Sequence, residues 1–160
     1  MLRSVEFLSL GLWLGADVFL SLVVAPGAFS VLPSRDAAGA IVSYAVTRVH
    51  IGGIVCGIIL LVTRLVRSVS PESGARATFS SPAVACVVLM IALTAISQAL
   101  VSPRLATLRL QMGSIEATAP GGPLLSDFAR LHRLSVSLES IVLLAGFAAM
   151  YLLVRESPKP

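Results

Sequence analysis

Charge is scarce in this chain. Charged residues make up 12% of its 160 residues, against about 25% in an ordinary soluble domain. The hydrophobic share is 56% and the mean hydropathy is +0.93. Helices apolar nearly all round would leave a soluble bundle too little polar surface for water, which argues against a soluble fold. Lysine is almost missing: eleven of the twelve basic residues are Arg, scattered near expected helix ends without a dense cluster. The net charge of +4 is therefore read as headgroup contact and topology, and nucleic acid is not an expected partner. Cys56 and Cys86 stand singly in apolar runs, with no metal-ligand spacing, and read as small buried residues. There is no P-loop, no H-E-x-x-H and no Rossmann glycine fingerprint; Gly11, Gly15 and Gly27 have no nucleotide-binding context. These absences favour a non-enzymatic role.

What the chain does have is four apolar runs, near residues 5–25, 49–66, 82–101 and 131–154. At 1.5 Å per residue, runs of this kind reach across a hydrocarbon core of about 30 Å. The expected fold is all-α: a four-helix transmembrane bundle, one integral membrane domain over residues 1–160, with an extramembrane helical segment between helices 3 and 4. The first run has no clean A-x-A cleavage site and precedes three more runs, so it reads as a retained helix. Pro26 and Gly27 are expected to end it, with Ser34 capping the next helix. Helix 2 is expected to enter the hydrocarbon near His50, with Arg48 and Arg64 snorkelling outward to complete a short span. Gly53 and Gly57 form a small-xxx-small step for close helix packing. The connection over 68–80, with Pro71, Gly74 and Arg76, is polar and turn-rich; Ser81–Pro82 reads as a cap with proline at the first helical position. Pro103 is expected to kink or end helix 3. The 104–116 stretch reads as an interfacial helix or an extension of helix 3, and Ser126 or Asp127 as the start of helix 4.

Four spans put both termini on one side of the membrane, opposite the 26–48 and 102–130 connections. Six Lys/Arg belong to each side. Those around the termini crowd closer to short connections (Arg3, Arg64, Arg67, Arg76, Arg155, Lys159), which favours cytoplasmic termini. Asp17 lies eight residues before Ala25, and Glu139 eight after Leu131, so both are expected about 12 Å below the loop-side boundary. Thr94 falls at a similar depth, with Ser21, Gln98 and Ser135 nearer the boundary and His50 and His132 at the mouth. Helical spacing places Trp13, Asp17 and Ser21 on one face, Thr94 and Gln98 on another, and His132, Ser135 and Glu139 on a third. The expectation is a polar cleft lined by Asp17, Ser21, Thr94, Gln98, Ser135 and Glu139, walled by the glycine face of helix 2.

A carboxylate facing lipid is expensive, and two at one depth repel when both are ionised. Three readings of the cleft stay open. One carboxyl group could be protonated and simply hold the bundle together; the cleft could bind a proton, metal ion or small ligand; or the acids could meet a partner protein. His50 and His132 are candidate metal or haem ligands, because imidazole suits copper, iron and zinc. Each also fits an amphipathic headgroup-level residue. Ser135 with His132 lacks the third orienting group that a nucleophile requires. Expected partners are the lipid bilayer and either further copies of the chain or a larger membrane complex to which it is an accessory subunit.

Two segments carry a resemblance. Leu12-Trp13-Leu14-Gly15, with Phe19, Val23, Val24, Ala25-Pro26, Phe29 and Leu32-Pro33, and the later Phe128 with Leu131-His132-Arg133-Leu134-Ser135, resemble the first-helix and last-helix signatures of a bacterial family of uncharacterised four-helix membrane proteins. That family is related to eukaryotic transmembrane protein 205. The resemblance implies an integral protein of the bacterial inner (cytoplasmic) membrane with unassigned biochemistry. A more distant likeness to copper-resistance membrane domains implies metal handling without transferring ligands. Asp17 stands where this family usually has an uncharged residue, and Glu139 where Asn is common.

Overall fold

The computed structural model describes residues 2–69, 81–119 and 121–156. Four long helices carry nearly all of them: α1 (Leu2–Val31), α2 (Arg35–Val69), α3 (Pro82–Met112) and α4 (Pro123–Arg155). No strand occurs among the described residues. Each helix is long and apolar enough to cross a bilayer, and large apolar side chains such as Leu8, Leu12, Leu22, Leu144 and Tyr151 stand on the outside. The protein is a membrane-embedded all-α bundle. The turn-rich connection expected around Pro71, Gly74 and Arg76, together with Pro120 and Lys159, lies outside the described residues.

Helix starts follow local chemistry. The Ser34 hydroxyl accepts from the Ala37 amide at 3.1 Å, and that of Ser81 from Val84 at 3.4 Å ahead of Pro82, satisfying amides that have no partner inside the helix. Helix α4 begins at Pro123 instead of Ser126 or Asp127, because proline at the first turn forfeits no hydrogen bond and arrives with a helical φ.

Pro26, expected to end helix 1, does not, and Pro103, expected to kink or end helix 3, does not end it. Helix α1 runs through Pro26 to Val31, and α3 runs through Pro103 to Met112. In each, a π turn precedes the proline: Leu20–Val24 in α1 and Ser97–Val101 in α3. An interior proline clashes with the carbonyl four residues back. Those carbonyls belong to Leu22 and Ala99, and both lie within the π turns. The wider turn absorbs the clash, so the helix continues. The 104–116 stretch is therefore an extension of α3 as far as Met112, where Gly113 at φ 69° turns the chain.

Packing is uneven along the bundle. Leu10, Leu14, Leu60, Val87, Met90 and Val142 form a dry core toward the end that holds the chain termini. Gly146 gives Leu14 and Met90 the room to pack there. By contrast, α4 has no buried residue before Val142, and α3 none after Val101. At the opposite end the contacts are polar. Asp36 accepts from the Ser114 hydroxyl at 2.7 Å and the Ile115 amide at 3.1 Å, and Glu116 accepts from the Arg35 amide at 2.9 Å. Arg109 donates to the Gly39 carbonyl and the Ser43 hydroxyl, each at 2.7 Å. These bonds hold the α3–α4 connection against the first turns of α2.

Candidate functional site

Polar groups from all four helices meet at one level of the bundle. Asp17 lies fourteen residues before the end of α1, His50 fifteen after the start of α2, Gln98 fourteen before the end of α3 and Glu139 sixteen after the start of α4. At 1.5 Å per residue, each is about 21–24 Å from the loop-side helix ends. The loop-side helix ends lie further out than expected, because α1 and α3 pass their prolines and extend the bundle on that side.

His50 is the centre of the arrangement rather than a residue at its mouth. It is buried, with Nδ1 3.0 Å from Gln98 Oε1 and Nε2 3.0 Å from Glu139 Oε2. Each ring nitrogen therefore has a polar partner within hydrogen-bond distance, one an amide and the other a carboxyl group. Asp17 is 0% exposed, and neither of its oxygens has a hydrogen-bond partner. The groups acting on it electrostatically are Glu139 and His50, with the Trp13 indole beside it. Trp13 Nε1 and Thr94 Oγ1 are likewise buried without partners. Unsatisfied polar atoms are rare in protein interiors; here three residues carry them.

Trp13 is positioned by α2. An ideal Cβ on Gly53 would fall on the indole around Nε1, and one on Gly57 would lie 2.8 Å from its Cζ3. The two glycines therefore accept the flat ring of Trp13 between α1 and α2, as small residues do where membrane helices approach closely.

Other named residues stand apart. Ser21 and Ser135 are half-buried and make no side-chain hydrogen bond among the described residues. His132 is exposed and stacks on Phe128, with ring centroids 6.1 Å apart and planes at 1°. The two histidines are not brought together, and no group of three or more His, Cys, Asp or Glu among the described residues is arranged to hold a metal ion.

A second buried polar cluster closes the terminal end, and the sequence reading did not anticipate it. Arg64 does not snorkel; it is 2% exposed and donates to Glu6 at 3.2 Å and to Ser81 at 3.0 Å, and it pairs with Glu156. Arg67 pairs with the other Glu6 oxygen at 2.5 Å. Four helix ends are joined by these contacts. A signal was present in the spacing: Glu6 is four residues from the start of α1 and Arg64 five from the end of α2. Antiparallel helices set those opposite charges at one level.

Residues 8–114 match the profile of a family described as "Domain of unknown function (DUF4149)". The match takes in Asp17, His50, Thr94 and Gln98 but stops short of α4 and Glu139. No curated protein and no solved structure matches the chain.

Proposed function

We propose that this chain, which belongs to the DUF4149 family, is a membrane protein whose interior binds an exchangeable proton shared by Asp17 and Glu139. The carrying observation is Asp17: wholly buried, both oxygens unpartnered, and acted on by a second carboxyl group and an imidazole. His50 can supply at most one positive charge, so ionisation of both acids would leave at least one uncompensated negative charge beside buried Asp17. Isolated charges in low dielectric are costly. A shared proton lowers that charge and gives a lone Asp17 oxygen a bonding role. Such a proton belongs to the coupled pair rather than to either residue.

A proton fits better than a metal or haem at His50, since either would take a ring nitrogen away from Gln98 or Glu139. Asp17 is covered within one chain, which favours an internal site there, while Glu139 keeps 23% of its side chain exposed. The relation to eukaryotic transmembrane protein 205 belongs to this reading and rests on the first-helix and last-helix signatures alone. For orientation, the six basic residues of the terminal side (Arg3, Arg64, Arg67, Arg76, Arg155, Lys159) crowd closer to short connections than the six of the loop side, which supports termini in the cytoplasm of a bacterial inner membrane.

Infrared spectroscopy of the protein in lipid tests the proposal. A protonated-carboxyl band is expected at neutral pH, shifting on exchange into heavy water and disappearing in the Asp17→Asn/Glu139→Gln double variant. Finding no such band in the wild type, or an unchanged one in the double variant, would overturn it.

A further inference from the structure

A crevice of about 270 Å³ runs between α1 and α2 on the lipid-facing side of the bundle, lined by Leu12, Trp13, Arg48, Gly52, Gly53 and Cys56 among others. Its walls are apolar apart from Arg48, which is exposed at the loop-side end and lies 5.1 Å from the centroid of the Tyr44 ring. Trp13 forms the inner wall, buried against Gly53 with its indole beside Asp17. Arg48 makes no ion pair among the described residues. It stands just before the apolar run that starts at Ile51, where an unpaired guanidinium calls for an anion. No carboxylate or other acceptor lines this crevice.

We infer that the crevice binds an anionic phospholipid of the surrounding bilayer, with its phosphate on Arg48 and an acyl chain along Leu12 and Cys56. Charge complementarity selects the occupant: an apolar channel with a cation at its headgroup end. Arg is the apt cation, since its planar fork matches phosphate oxygens in pairs. Hydrocarbon displaced from bulk lipid supplies no hydrophobic gain here, so selectivity rests on the headgroup and on close packing against Trp13.

Trp13 is the only tryptophan in the chain, which makes its fluorescence a direct report on the crevice. The protein is reconstituted into vesicles in which either phosphatidylglycerol or phosphatidylcholine carries brominated acyl chains at equal mole fraction. Brominated phosphatidylglycerol is expected to quench Trp13 at least about threefold more effectively per mole. Arg48→Gln should abolish that preference and Arg48→Lys should keep much of it, while Arg104→Gln, an exposed arginine elsewhere on the loop side, should leave it intact. Equal quenching by the two lipids would overturn the inference. So would loss of the preference in the Arg104 variant, which would mark a general surface-charge effect. This readout is separate from the carboxyl band, so either idea can fail alone.

Discussion

Arg64→Met is expected to cost about 3–5 kcal/mol of stability, the range seen when one partner of a buried ion pair is removed. Glu6 is only 1% exposed, and Arg64 and Arg67 hold its two oxygens. Deleting Arg64 leaves Glu6 half-compensated in the interior and releases Ser81 and Glu156 from the same contact. Because those groups sit on four helix ends, the loss should appear as cooperative loosening of the terminal end. Equilibrium unfolding by SDS titration of the protein in mixed micelles measures it. Adding Glu6→Gln should recover a large part of the loss, since the stranded charge is then gone, and the pair would show strong coupling in a double-mutant cycle. A loss below about 1 kcal/mol, typical of exposed pairs, would mean that water reaches the cluster.

The second large effect is expected at Gly53. A valine there must place its Cβ where the Trp13 ring now lies, and overpacking of this kind costs about 1–3 kcal/mol. At this position the cost should reach the upper end, because Trp13 is nine-tenths or more buried and also rests against Gly57, which leaves the ring little room to move. The neighbouring Gly52→Val supplies the control: nothing lies within 4 Å of a Cβ at Gly52. That variant should unfold as the wild type does, within about 0.5 kcal/mol. Trp13 emission should shift in the Gly53 variant and stay put in the Gly52 variant. If both variants behave alike, the indole does not rest on the glycine face.

Some of this architecture was legible in one dimension. Four apolar runs in a chain poor in charge dictate four membrane helices, because backbone amides in hydrocarbon must be satisfied within a helix. Steps of three and four put Trp13 with Asp17, and Thr94 with Gln98, on common faces. The pairing of Gly53 with Gly57 marked a close approach. Periodicity could reveal these features because they depend on one helix at a time.

The level of His50 and the burial of Arg64 depend on where neighbouring helices end, and local rules misjudged those ends. Local chemistry puts a stop at Pro26 and a kink or stop at Pro103, yet the π turns before them carry α1 and α3 further. The hydrogen bonds of His50 to Gln98 and Glu139, from three helices, set its place inside the bundle. Arg64 illustrates the same limit. Alone in an apolar run it reads as a charge seeking water; beside Glu6, Ser81 and Glu156 it is buried. Composition and spacing determined that this protein lies in a membrane as helices, with acids it must shield. Only the tertiary structure decided which groups shield them, since a charge in low dielectric takes its state from the nearest groups in space.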